Sequence, residues 1–273
     1  MTASDILPSA WEVLTPRGVA AFTRARFGRL FLVQFIVALM VAAAVGWLLF
    51  DGCFPTVRSA IRQMPDAGEI RWGKLDWHGN AAQLLAEGTV LAFTVNLEYA
   101  GDIRSPAHWQ IELGRDDLRI HSLFGYREAS YPLGWVIAFN RKELEPWFGA
   151  WQPALLALTA LGVVVYLMAS WFVLATLYAV PVWAAGFFAN RDLSLGASWR
   201  LAGAALMPGA LLMAAAILLY DFAALDLVQM AVVTVAHVLL GWIYVGVSLL
   251  FVPPPATGPR ENPFAAAAEQ PGR

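Results

Sequence analysis

The chain has 273 residues, of which 59% are hydrophobic and 14% charged, and its mean hydropathy is +0.58. Soluble domains carry about a quarter charged residues, so this composition excludes an ordinary soluble globule and indicates a polytopic membrane protein. The net charge of -2, with no basic block, excludes the electrostatic footprint of a nucleic-acid binder. A single cysteine, Cys53, excludes an intrachain disulfide and any CxxC pair.

Residues 1–29 form an N-terminal segment carrying Arg17, Arg24, Arg26 and Arg29. The first uncharged run, 30–50, has Gln34 as its one strongly polar side chain and is long enough to span a bilayer as a helix. Its basic flank and Ala42-Ala43-Ala44 mimic a signal peptide. However, about 30 residues precede the apolar core and the run continues past the alanines, so an uncleaved span is expected. The second run, 153–189, is 37 residues without Asp, Glu, Lys, Arg or His. As one helix it would be about 55 Å long against a hydrocarbon core of about 30 Å. Pro181 is therefore expected to kink or end the crossing helix, leaving a piece along the interface. A loop at 190–200 with Arg191 and Arg200 leads to a third run, 201–220, interrupted by Pro208-Gly209. A turn at 221–226 with two acids precedes the fourth run, 227–252, which contains Gln229 and His237. The tail 253–273, rich in proline and alanine, reads as disordered.

Four crossings with both termini in the cytoplasm place every short basic segment inside and the acidic turn outside. Trp47, Trp135, Trp147, Trp151, Trp183 and Trp199 flank apolar runs, where interfacial aromatics belong. Lipid leaves no backbone polar group unsatisfied, so each span is a helix.

Between the first two spans lies a segment, 51–152, with the texture of a small extracytoplasmic α+β domain. A helix over 54–64 is expected to run on from the first span. Residues 69–77 (EIRWGKLDW), 89–99 (TVLAFTVNLEY), 108–113 (HWQIEL) and 118–124 (LRIHSLF) alternate or favour strand, and glycines punctuate them. Arg115-Asp116-Asp117 reads as a hairpin turn. Asn140, with Glu143 three residues on, reads as the N-cap of a helix leading into the second span. The expectation is a mostly antiparallel sheet of about four to five strands, tethered at both ends by membrane helices.

Five residues are candidates for chemistry. His237 lies ten residues inside its run, and ionisable groups at bilayer depth face the bundle and often mark function. The structural alternative is a neutral imidazole bonded to a neighbouring helix, with Tyr166, Ser170 or Tyr178 as partners. Pro208 breaks the third run, either as a hinge or packing notch with the small pair Ala205 and Gly209, or as a substrate path. Ala42 and Gly46 suit helix packing in the same way. Outside, His78, His108 and His121 accompany Asp76, Asp102, Glu112, Asp116 and Asp117, with His108 and His121 on neighbouring strands. No HxH or HExxH spacing supports a metal site, and no GxSxG or Walker-type loop occurs. The stretch from Lys74 to Asn80 reads equally as a binding loop or a tight turn. No catalytic residue, cofactor or metal is expected.

Met64-Pro65, Ile70, Gly73 and Leu75 at the start of the outer domain, with Leu193-Ser194, Trp199, Ala202 and Pro208 before and within the third span, form a pattern along about 24–251. That pattern resembles a family of bacterial polytopic membrane proteins associated with maltodextrin utilisation and related to the Yip-type membrane domain. The resemblance implies an N-terminal span, a small extracytoplasmic sheet, a C-terminal helical cluster and the inner membrane of a bacterium, and it implies no catalytic residues. The chain departs by having four spans where five are expected, and Asn96 where an acid would close the second strand. Three functions follow. The first is a non-enzymatic protein whose external sheet binds a ligand, or a membrane or periplasmic protein partner. The second is a transporter or transport accessory, and the third an enzyme at the membrane–water interface.

Overall fold

The computed structural model describes residues 10–98, 103–123 and 125–255, and the chain divides into two compact units, each taken by itself below. Tyr99, Asp102, Phe124 and the tail beyond 255 lie outside the described residues. Among the described residues, four helices are long and apolar enough to cross a membrane: Phe27–Gln63, Arg141–Phe188, Leu195–Asp221 and Leu227–Leu249.

One unit comprises Met1–Gln34, Met168–Gly209 and Val238–Arg273. Its N-terminal segment is folded from Ala10 on, over the described residues. A 3-10 turn, Ala10–Leu14, leads to helix α1 (Pro16–Ala21), capped by the Thr15 hydroxyl, which accepts from Gly18 N–H at 3.1 Å, with Pro16 in the first turn. A second 3-10 turn, Phe22–Arg24, follows, and Val19 and Phe22 are fully buried. The segment is held by the Arg200 guanidinium, whose Nε donates to the Phe22 carbonyl at 3.3 Å and to that of Thr23 at 3.2 Å. A cation on the last carbonyls of a helical turn meets both their hydrogen-bonding need and the local dipole. Tyr244 adds a bond from its hydroxyl to the Leu14 carbonyl at 2.6 Å.

Helix α2 (Phe27–Trp47) starts in this unit. Its buried Gln34 faces Gly203, where a Cβ would meet Leu30 at 3.2 Å and Gln34 at 3.3 Å. A close approach of helices is thus seen at Gly203, and another at Ala205, whose carbonyl a Cβ at Gly241 would meet at 3.7 Å. At Gly46 a Cβ would meet nothing within 4 Å. The third apolar run is two helices, α5 (Leu195–Ala205) and α6 (Met207–Asp221), broken at Leu206. The expected kink at Pro208-Gly209 thus falls earlier. Proline lacks an N–H and its ring crowds the carbonyl four residues back, so Pro208 occupies the first turn of a new helix. Ser194 caps α5 through Ala197 N–H at 3.2 Å.

The other unit comprises Phe35–Leu167 and Ala210–His237. Helix α2 passes through a π-helical turn, Leu48–Cys53, into α3 (Phe54–Gln63). Helix α4 (Arg141–Phe188) is 48 residues long. It starts twelve residues before the uncharged run, at Asn140, whose side chain accepts from Glu143 N–H at 3.1 Å. It also continues through Pro181 to Phe188, so Pro181 does not end it. The first turns of α4 lie against α3. Phe54 and Phe148 meet edge to face at 5.4 Å, Arg58 donates to Gln152 at 2.9 Å and Arg62 pairs with Glu145 at 3.2 Å. Helix α7 (Leu227–Leu249) is the last among the described residues.

The sheet region differs from the single sheet of four to five strands expected. Among the described residues, eight strands form two sheets, one of three strands in the order β2-β1-β8 and one of five in the order β3-β4-β5-β6-β7. The strands are β1 (Gly68–Arg71), β2 (Lys74–Trp77), β3 (Ala82–Glu87), β4 (Leu91–Asn96), β5 (Trp109–Leu113), β6 (Asp117–Ser122), β7 (Gly125–Ser130) and β8 (Val136–Ala138). The alternation over 69–77 conceals a hairpin. Trp72 and Gly73 turn at φ 54° and 73°, the left-handed pair that a two-residue turn between twisted strands requires. β4 and β5 are parallel, joined by a crossover, and every other pairing is antiparallel. One face of the large sheet is apolar and packs Leu85, Ala86, Val95 and Leu113 with Phe54, Ala60, Ile61 and Met64 in a core that also takes Ile70, Leu75 and Trp77 from the small sheet.

A Cβ at Gly18 would lie 1.8 Å from the Glu12 carbonyl oxygen, which is backbone and cannot step aside. Gly18→Ala is therefore expected to undock the N-terminal segment at a cost of about 1–3 kcal/mol. The expected readout is a lower thermal midpoint in detergent with faster proteolysis before Arg29. An unchanged midpoint contradicts the packing described.

Candidate functional site: the polar face of the five-stranded sheet

Strand side chains alternate between faces, so the residues opposite the apolar core form a set of their own. That set includes Thr94 and Asn96 on β4, Gln110 and Glu112 on β5, and Arg119 and His121 on β6. The first four are polar yet buried. A buried polar group is tolerated when it is bonded, and each of these is. Gln110 donates to Thr94 at 3.1 Å and to the Ile103 carbonyl at 3.0 Å, and accepts from Ser105 N–H at 3.1 Å. Ile103 and Ser105, in the described part of the connection between β4 and β5, are thus pinned to the polar face by Gln110.

Glu112, 7% exposed, accepts from Asn96 Nδ2 at 3.0 Å on one oxygen and from His121 Nε2 at 3.0 Å on the other. A carboxylate taken this far from water needs such partners. The ring of His121 also lies 5.8 Å from that of Tyr126. His108, just before β5, is bonded through Nδ1 to the hydroxyl of Tyr220, near the end of α6, with the rings 5.3 Å apart.

His108 and His121 line one cleft of about 280 Å³, with Arg104, Gln110, Ser122 and Leu227. Of the three outer histidines, these two are brought together. His78 is elsewhere, exposed after β2 and paired with Asp76 at 3.2 Å. The stretch Lys74 to Asn80 is a strand and a turn, closed by the Trp77 indole donating to the Asn80 carbonyl at 3.0 Å. His237 is half-buried on α7, and its Nδ1 bonds the Thr234 carbonyl of its own helix, in place of the expected neighbouring helix. Pro208 opens α6. Among the described residues no group of three or more His, Cys, Asp or Glu could hold a metal ion.

Sequence reasoning missed Arg104, Gln110 and Tyr220. Gln110 and Glu112 left a signal, since HWQIEL places polar residues at alternate positions of a strand whose other face is apolar. Arg104 lies in the crossover and Tyr220 in an apolar run, and neither carries a local pattern. Compared with protein-family models, curated proteins and solved structures, the chain matches none.

Asn96→Asp would set a second carboxylate against Glu112. A penalty of about 2–4 kcal/mol is expected at neutral pH, from the lost donor and like-charge repulsion. The folded variant then holds a shared proton more tightly than the unfolded chain does. Its penalty should therefore shrink as pH falls through the carboxylate range. Thermal unfolding near pH 7 and pH 4.5, read against wild type, checks this, and equal penalties at both contradict it.

Proposed function

We propose that the protein is a multi-pass protein of a bacterial inner membrane, with both termini cytoplasmic, and that its external sheet domain binds a ligand or partner without transforming it. The four apolar helices, the arginines flanking the first and third apolar runs, and the acidic α6–α7 turn support the membrane reading. At about 72 Å, α4 is more than twice as long as the hydrocarbon is thick. Its charged first turns then stand outside, beside α3 and under the sheet.

The observation that carries the binding reading is the cleft. Arg104, His108 and His121 converge there, while the hydroxyls beside them are engaged elsewhere: Ser105 donates to Glu87 at 2.8 Å and Ser122 to the Gly125 carbonyl at 3.3 Å. A nucleophile needs a base within hydrogen-bond reach, and neither of these bonds goes to an imidazole. The convergence of two histidines also favours the second reading, an interfacial enzyme, with the His121–Glu112 pair as its base. A transport accessory role has Pro208, His237 and the overlong α4 behind it; the first two have local structural accounts, and the first turns of α4 pack against α3.

Purification of the intact protein in several mild detergents, followed by native mass spectrometry, tests the binding reading. A retained ligand or partner is expected, lost from a His108→Ala, His121→Ala variant. Protein that emerges bare from every detergent contradicts it.

A further inference from the structure

We propose that the cleft beside β5 and β6 holds a phosphate group, carried either by a lipid headgroup or by a free phosphate ester. The assignment rests on the reading of the sheet domain as a binding module. It starts from the balance of donors and acceptors around the cleft. Three carboxylates of the neighbouring strands and turn are engaged within the protein: Glu112 by Asn96 and His121, Glu87 by the Ser105 hydroxyl, and Asp226 by the N–H of Gln229, which it caps at 2.7 Å. Gln110 is occupied by Thr94, Ile103 and Ser105. Of the cleft's charged and imidazole side chains, Arg104 and His108 are left to donate to a ligand, and His121 presents a ring nitrogen beside them.

Arg104 offers a guanidinium, whose planar fork matches two oxygens of a phosphate. His108 is bonded through Nδ1 to Tyr220. A phenol donating to Nδ1 puts the ring proton on Nε2, where it can be given to a ligand. His121 is bonded through Nε2 to Glu112. Its ring, when protonated, adds Nδ1–H as a third donor. Partners that fix one nitrogen of each ring also fix its orientation, so the cleft is organised before anything binds. A carboxylate or a phosphate diester presents two anionic oxygens to such a set, and a phosphate monoester three. The volume, about 280 Å³, has room for a phosphate and a small attached group.

The rim adds an apolar side. Leu123, 61% exposed, and Leu227, at the start of α7, line the same cleft as the donors. A phosphate on the polar floor with hydrocarbon leaving over these leucines is the arrangement an amphiphile would take where α6 and α7 emerge.

Calorimetric titration of the intact protein in neutral detergent tests the assignment. The probes are glycerol 3-phosphate, dioctanoyl phosphatidylglycerol and, as the control without phosphate, dioctanoylglycerol. At least one phosphate probe should bind and the control should not. Arg104→Ala should weaken that binding about tenfold, the effect of one charge-assisted bond, with Arg104→Lys falling between. Arg104 is exposed, and unchanged thermal midpoints would show that both variants fold. Binding of the lipid probe alone identifies a headgroup, and comparable binding of glycerol 3-phosphate identifies a soluble ester. The assignment is overturned if neither phosphate probe binds, if the control binds as well as they do, or if Arg104→Ala binds like wild type. Should the phosphate probes fail while the purified protein still retains a partner, the binding reading stands and only the phosphate falls.

Discussion

The pairing of α3 with the first turns of α4 supports everything built outside the apolar runs. Both segments continue long helices beyond their uncharged stretches, and they meet through Phe54 and Phe148 flanked by polar contacts at Arg58–Gln152 and Arg62–Glu145. The exposed ion pair is worth little by itself. The aromatic contact and the apolar face of α3 matter more, because they give the sheet a surface to pack against. Without that surface, the apolar side of β3 to β6 would face water.

Once one sheet face is committed to α3, the period of two commits the other to polar residues. Ile103 and Ser105, from the connection between β4 and β5 that parallel strands require and a hairpin would not supply, are bonded onto that face. Covering polar residues is costly unless all are bonded. The Asn96–Glu112–His121 chain and the fully engaged Gln110 meet that condition. The site is thus a consequence of topology: the parallel pairing brings the connection, Ile103 and Ser105 of that connection are bonded onto the polar face, and the cleft opens at its margin.

The sequence made the apolar helices, the run-on of α3, the Arg115-Asp116-Asp117 turn and the Asn140 cap legible, because each rests on a local pattern. Apolar length, cap spacing and turn residues need no knowledge of distant contacts. It did not reveal the Trp72-Gly73 hairpin, since a tryptophan in a left-handed turn is not a composition that turn rules anticipate. β7 was hidden because all its residues are exposed, so no burial pattern marks it. β3 was hidden by a bulge at Leu85 that breaks its alternation. Of the site, His108 and His121 were visible as neighbours, but Tyr220 and Arg104 come to them from distant parts of the chain. Asn96 shows the same limit. In sequence it stood as a departure from an expected acid, whereas in the fold it donates to Glu112, and an acid there would repel it.

The account turns on the sheet domain lying on the side of the membrane opposite the 190–200 loop. Labelling with a membrane-impermeant maleimide tests that most directly. Cys53→Ser removes the one native cysteine, and single cysteines are then placed by Ser130→Cys on exposed β7 or Asn190→Cys after α4. In intact spheroplasts the account predicts labelling at 130 without permeabilisation, and at 190 only after it. Labelling at 190 in intact spheroplasts, or protection at 130, would contradict it.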